Sequence, residues 1–153
     1  MKLSNNFSLS EFTDSNTAER RGIDNSPTAE HIHNMVALCE NVLQPLRERI
    51  GKSIRVSSGY RSEALNDAIG GSKTSEHSKG MAADIKLIVN GENQSQILYN
   101  TILAMDIPFR QMIWEFGDDD TPNWVHISFN PSDNKRQCLR AYKDNGKTKY
   151  KVI

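Results

Sequence analysis

Apolar residues recur at helical spacing from Pro27 to Ile50, and this run limits the fold more than any other feature of the chain. Ile32, Met35, Val36, Cys39, Val42, Leu43, Leu46 and Ile50 fall on one helical face, and Gly51 follows as a stop. Pro27 fits the first helical position, with Ser26 as its cap. Pro45 lies inside the pattern; with its fixed φ and no N–H to donate, it predicts a bend or a division into two helices.

The other patterns are shorter. Ser8 to Glu11 reads as a capping box opening a short helix, and the polar stretch from Thr13 to Ser26 as loop or turns. Ile54 to Ser57 reads as a strand, SGYR as a turn, and SEALNDAIGG as a short helix closed by Gly70 and Gly71. A polar loop carrying His77 leads into AADIKLIV, a strand that ends at the turn Asn90–Gly91. Gln94 to Met105 fits a helix. Gln111 to Phe116 and Trp124 to Phe129 fit two strands joined by the acidic loop GDDDTPN, and the tail adds one strand near Lys149 to Val152. Helices come first and strands cluster later. The expectation is one α+β domain over residues 1–153, with a small, mainly antiparallel sheet flanked by N-terminal helices.

Composition narrows the function. The formal net charge is zero, so no basic field draws the chain to nucleic acid. No segment is long and apolar enough to span a bilayer, and MKLSNNFSLSEF has no signal-peptide core. The expectation is synthesis in the cytoplasm, with any action outside the cell requiring lysis or an unusual route. Cys39 lies on the apolar helical face and reads as a buried thiol; with Cys138 it makes no disulfide framework.

Metal centres draw three or four ligands from Cys, His, Asp and Glu. His31 and His33 point in different directions on a helix and read as surface residues. His77 reads either as a solvated loop residue or as a ligand brought back over the Asp84 strand. On that strand Ala82, Asp84 and Lys86 share a face, and the small Ala82 leaves room beside the carboxylate. In WVHISF, alternation puts Trp124, His126 and Ser128 on one face, so His126 is either a ligand or a core His bonded to a carbonyl. Asp84 is out of place in a strand unless a cation or several donors meet it. Glu115, in MIWEF, is either a carboxylate whose pKa is raised by apolar neighbours, suited to a general base, or a solvent-facing edge residue. Asp118, Asp119 and Asp120 read as a solvated acidic turn. Arg61, after a tight turn, either grips a substrate carboxylate or bridges to a surface acid.

Taken together these residues resemble a known family. Ser75, His77, Gly80, Ala82 and Asp84 fit S-x-H-x-x-G-x-A-x-D, followed by Glu115 and then W-V-H-I-S at Trp124 to Ser128. This resembles the zinc D-alanyl-D-alanine carboxypeptidases and dipeptidases, in the superfamily that also holds the lysostaphin-type enzymes and the hedgehog signalling domain. NFSLSEF, DNSPTAEH, VLQPLRERIG, IRVSSGYRS and LNDAIGGSKTSEHSKGMAADI look like the short, stand-alone members of bacteriophage and prophage genomes, and the resemblance weakens after about Asn130. It implies one zinc ion per chain held by His77, Asp84 and His126, with Glu115 as the base. Arg61, Ser75 and Trp124 would contact the substrate. Some relatives carry a histidine two residues before the last ligand; Trp124 stands there in this chain and cannot transfer protons. The hairpin joining Glu115 to His126 is also longer than in some relatives.

The implied activity is hydrolysis of an amide in the peptide stem of peptidoglycan, by a monomer with no nucleic-acid or membrane partner. The bond is either terminal D-Ala-D-Ala or L-Ala-D-Glu. A holin-released endolysin fits a chain with no signal peptide. The competing expectation is a non-catalytic zinc-containing domain that binds cell wall or a protein partner; a carboxylate at position 115 favours the enzyme.

Overall fold

The computed structural model describes residues 1–153. The chain opens with a hairpin of β1 (Lys2–Ser4) and β2 (Phe7–Ser8), then α1 (Leu9–Thr13). The capping box forms: the Ser8 N–H donates to Glu11 Oε2 at 2.7 Å. A second helix, α2 (Asn16–Arg21), occupies part of the stretch expected to be loop. Ser15 accepts from the Ala18 N–H at 3.2 Å and Gly22 closes the helix with φ 63°. These caps were its sequence signal; six residues are too few to show a period.

The long helical run is α3 (Ala29–Leu38), a π-helical turn at Cys39–Leu43, and α4 (Gln44–Ile50). Its cap is Thr28, not Ser26, and Pro27 precedes the helix instead of opening it: Thr28 accepts from the His31 N–H at 3.2 Å. Pro45 does not end the helix. The turn just before it widens, with the Gln44 N–H reaching back to the Cys39 carbonyl, and so accommodates the missing donor. Gly51, at φ 70°, closes α4.

Next come β3 (Arg55–Ser58), α5 (Glu63–Ala68), a 3₁₀ turn at Glu76–Lys79, and β4 (Ala82–Lys86). AADIKLIV is not one strand. It breaks at Leu87, whose N–H donates to Ser95 Oγ at 3.1 Å, and a small hairpin of β5 (Ile88–Val89) and β6 (Glu92–Asn93) turns at Asn90–Gly91. Then follow α6 (Gln96–Ala104), β7 (Gln111–Glu115), β8 (Trp124–Ser128), β9 (Gln137–Asp144) and β10 (Lys147–Val152). The tail is thus a full hairpin, not a single strand. One six-stranded sheet runs β10-β9-β7-β8-β4-β3, antiparallel except for the parallel pair β7–β9. The fold is α+β with a mainly antiparallel sheet, as expected.

Strand alternation divides this sheet into two faces of different use. Ala83, Ile85, Met112, Trp114, Val125 and Ile127 turn inward and join Met35, Leu38, Cys39, Val42 and Leu46 of the long helical run, with Leu98 and Ile102 of α6, in a core cluster of 23 buried residues. The intervening residues, among them Asp84, Glu115 and His126, share the opposite face. The helices cover one face, and the other is left for chemistry.

The 3₁₀ turn is clamped between α3 and this second face. Asn34 Nδ2 donates to the Lys79 carbonyl at 2.8 Å. Gly80 turns the chain into β4 with φ 74°, and a Cβ there would sit 2.5 Å from the His31 carbonyl oxygen. Gly22 has a similar φ, but its Cβ would meet nothing within 4 Å. Gly22→Ala should therefore cost only the conformational strain, about 1 kcal/mol. Gly80→Ala should cost clearly more, about 2–4 kcal/mol, because α3 and the turn must also separate. Urea unfolding of the two variants measures this; equal losses would show that the close approach of Gly80 to α3 does not matter.

Candidate metal centre

His77, Asp84 and His126 come from three places and meet on the open face of the sheet. β4 and β8 are paired so that Asp84 lies directly opposite His126, and their side chains rise on the same side. His126 Nδ1 is 3.1 Å from Asp84 Oδ1. His77 reaches over from the 3₁₀ turn, with its Nε2 3.3 Å from the same oxygen. Its other nitrogen, Nδ1, is 2.7 Å from the Gly59 carbonyl oxygen. A carbonyl only accepts, so Nδ1 carries a proton; Nε2 is left facing Asp84, where it donates when protonated and offers a lone pair to a metal ion once that proton is lost. Ser75 fixes the turn itself, its hydroxyl oxygen accepting from the His77 N–H at 3.2 Å. The Arg61 N–H donates to the His77 carbonyl at 3.2 Å.

The three donor atoms lie within 4.8 Å of one another. Burial opposes ionisation of Asp84, but the positive charge of His77 and hydrogen bonds from both imidazoles outweigh it and hold the carboxyl well below the usual range. Burial disfavours the charged form of His126 in the same way, yet its bond to Asp84 raises its pKa overall. Two imidazole nitrogens and one carboxylate oxygen, with one ring aimed by a backbone carbonyl, form a donor set suited to zinc, and three protein ligands leave a coordination position for water or substrate.

Glu115 stands beside this group. Ile113 pairs with His126 and Glu115 with Trp124, so Glu115 is one step along the same face. Its side chain is only 8% exposed. Burial pushes its pKa up to about 7, with His126 pulling it down and Asp84 adding to the rise. It is not a solvent-facing edge residue. A cleft of about 640 Å³ contains Glu115, the three histidine and aspartate side chains, Arg61, Ser75 and Trp124. Arg61 is paired with no acid and its Nε is buried without a partner. Burial lowers the Arg61 pKa while Asp84 favours its charge. The Trp124 indole N–H is also buried and unpartnered, and its ring packs edge-on to Phe116 at 5.7 Å.

The family model for peptidase M15 matches residues 5–128, a span that holds all of these side chains. The chain belongs to the peptidase M15 family. Members of that family are zinc peptidases, which makes this chain a metallopeptidase, and His77, Asp84 and His126 are a group able to hold such an ion. Among curated proteins, no match to the chain was found.

The other sequence candidates lie outside the cleft of this M15 peptidase. His31 caps α3, accepting from the Thr28 N–H at 3.4 Å, and packs against Tyr60 with ring centroids 5.1 Å apart; it is half-buried, not a free surface residue. His33 is exposed. The acidic turn is structured by Asp118, which accepts from the N–H groups of Asp120 and Thr121, each at 2.9 Å. Cys39 and Cys138 are free thiols.

One wall of the cleft went unrecognised in the sequence. Across the sheet, Trp124, Glu115, Ala141 and Tyr150 form a continuous row. Ala141 is small, and burial raises the pKa of the phenol beyond it, with the charges of Glu115 and Asp84 adding to the rise. Leu139, Lys143, Thr148 and Tyr150 of the β9–β10 hairpin all line the cleft. The signal was Asn145–Gly146 between two alternating runs. Both residues take positive φ, 51° and 77°, in the two-residue turn that such a pair favours.

The burial of Glu115 has a measurable consequence in the metal-free protein. Its folded pKa of about 7 exceeds the ordinary value of 4.5, so between these values the folded state binds more protons than the unfolded state. Stability from this group is therefore full below pH 4.5 and declines as pH rises through 7. Glu115→Gln removes the penalty. In chelator-treated protein, the variant's advantage in unfolding free energy should rise from near zero at acid pH to about 3 kcal/mol above pH 7. A difference that stays flat would mean that Glu115 is solvated in the folded protein.

Proposed function

We propose that this chain is a zinc-dependent peptidase that hydrolyses an amide bond in the peptide stem of peptidoglycan. The bond is either the terminal D-Ala-D-Ala link or the L-Ala-D-Glu link. The observation that carries the proposal is the buried Glu115 carboxylate sharing one cleft with His77, Asp84 and His126. A non-catalytic binding domain gives no reason to keep a desolvated acid at that point.

His77 through Nε2, Asp84, and His126 through Nδ1 would hold one zinc ion per chain. When bound, zinc supplies Lewis acidity, making water more acidic and polarising the amide carbonyl. Glu115 removes the proton from the attacking water and delivers it to the leaving amine. A carboxyl with a pKa of about 7 serves both transfers, since neither protonation state is strongly disfavoured near neutrality. Arg61, with no acid of its own, grips a substrate carboxylate and orients the carbonyl. Ser75 and Trp124 line the path of the peptide: the Trp124 indole offers a flat face but no proton-transfer group. The reaction takes place at the cell wall, with the protein acting as a monomer.

The test is digestion of purified peptidoglycan by zinc-loaded protein, followed by mass spectrometry of the muropeptides. The expected products are stems lacking terminal D-Ala, or stems cut after L-Ala. Glu115→Ala should retain one zinc per chain and lose at least ~100-fold in rate. Undiminished cleavage by that variant would remove Glu115 from its role. Intact muropeptides after treatment with the zinc-loaded wild type would overturn the proposal.

A further inference from the structure

Two cations line the cleft, Arg61 and Lys143, and neither has an acidic partner. Other basic side chains nearby are already engaged: Arg110 with Glu76 and Asp133, Arg140 with Asp119, and Lys149 with Asp144. Lys143 is held instead by uncharged groups. Its Nζ donates to Thr148 Oγ1 at 2.8 Å and lies 5.3 Å from the centroid of the Phe116 ring. These contacts position the ammonium without neutralising it.

The register places that charge relative to the chemistry. Along β9, Leu139 belongs to the row that contains Ile113, His126 and Asp84, and Ala141 to the row of Glu115 and Trp124. Lys143 comes next on the same face, opposite Thr148. Metal ligands, base and ammonium therefore follow one another along the sheet, with Lys143 on the far side of Glu115 from the ligands. A carboxylate bound by Lys143 belongs to a residue neighbouring the scissile bond, not to the scissile bond itself. The match to the M15 family ends at residue 128, so the hairpin that carries Lys143 lies beyond it.

We propose that Lys143 is a specificity-determining residue that binds an internal carboxylate of the substrate, so that the cleft selects stem peptides carrying a free acid beside the cleaved bond. The inference rests on the peptidase reading above. It makes the C-terminal hairpin a recognition element, and it makes amidation of the stem peptide, which removes the charge and leaves the shape, a means of resisting this enzyme.

Three synthetic stem pentapeptides test it: L-Ala-γ-D-Glu-diaminopimelate-D-Ala-D-Ala, the same peptide amidated at the D-Glu α-carboxylate, and the same peptide amidated at the free carboxylate of diaminopimelate. Each contains both candidate bonds. For the zinc-loaded wild type, one of the two amidations should lower kcat/KM by about tenfold, mainly through KM, as expected for loss of one hydrogen bond to a charged group. The discrimination should shrink as salt is raised. Lys143→Met should bring the ratio close to one, and Lys143→Arg should restore it. Equal cleavage of all three peptides by the wild type, or discrimination that survives in Lys143→Met, would overturn the role of Lys143 and leave the peptidase reading standing. Failure to cleave any of the three would overturn both.

Discussion

Asp84 holds a negative charge in the middle of a strand, largely out of water, and the arrangement of the site follows from what compensates that charge. A carboxylate left alone there would be costly to bury and would take up a proton instead. Two imidazoles prevent this, both directed at the same oxygen. His126 arrives by strand register alone, directly across from Asp84. His77 requires more: the Gly59 carbonyl to set its tautomer, the Ser75 hydroxyl to start its turn, and Gly80 to let the chain return against α3. Distant parts of the sequence thus serve one oxygen atom.

The sheet makes this possible by separating structure from chemistry. Its inward face packs on the long helical run and α6, and that packing fixes the register of β4, β7 and β8. A slip of one residue would send His126 and Glu115 into the core and Val125 into the cleft, so the hydrophobic pattern also protects the site. The open face carries, in successive rows, Asp84 and His126 of the candidate metal centre, the proposed base Glu115, and the cation of the C-terminal hairpin. Burial of Glu115 in the second row raises its pKa, an electrostatic cost of folding that the proposed reaction uses.

Three residues of the central site stood out in the sequence because they conflict with their local patterns, while the choice of His77, Asp84 and His126 as ligands and Glu115 as base came from the resemblance to the zinc peptidases. An Asp in AADIK, a His in WVHIS and a Glu in MIWEF each interrupt an apolar strand, and strand alternation then assigns their faces. The joining of β7 and β8 by the acidic loop was legible for the same reason. Cap positions were less so: Thr28 displaced Ser26 because adjacent Ser, Pro and Thr each offer a plausible start, and only the bond to the His31 N–H decides among them. The widened turn at Cys39–Leu43 was hidden because a π turn leaves the apolar spacing nearly intact. Of the β9–β10 hairpin the sequence shows only the last strand: β9 is half-buried without clean alternation and β10 is exposed throughout, so Asn145–Gly146 alone marks the turn that joins them. Its parallel pairing with β7, and hence Lys143 and Tyr150 in the cleft, is a long-range relation that local pattern does not encode.

Anomalous diffraction at the zinc edge from crystals of tag-free protein tests the central assignment most directly. The expected result is a single zinc peak per chain, about 2.0–2.2 Å from His77 Nε2, an Asp84 oxygen and His126 Nδ1. A chain with no zinc peak, or with its only peak at His31 or His33, would contradict the assignment of the metal centre.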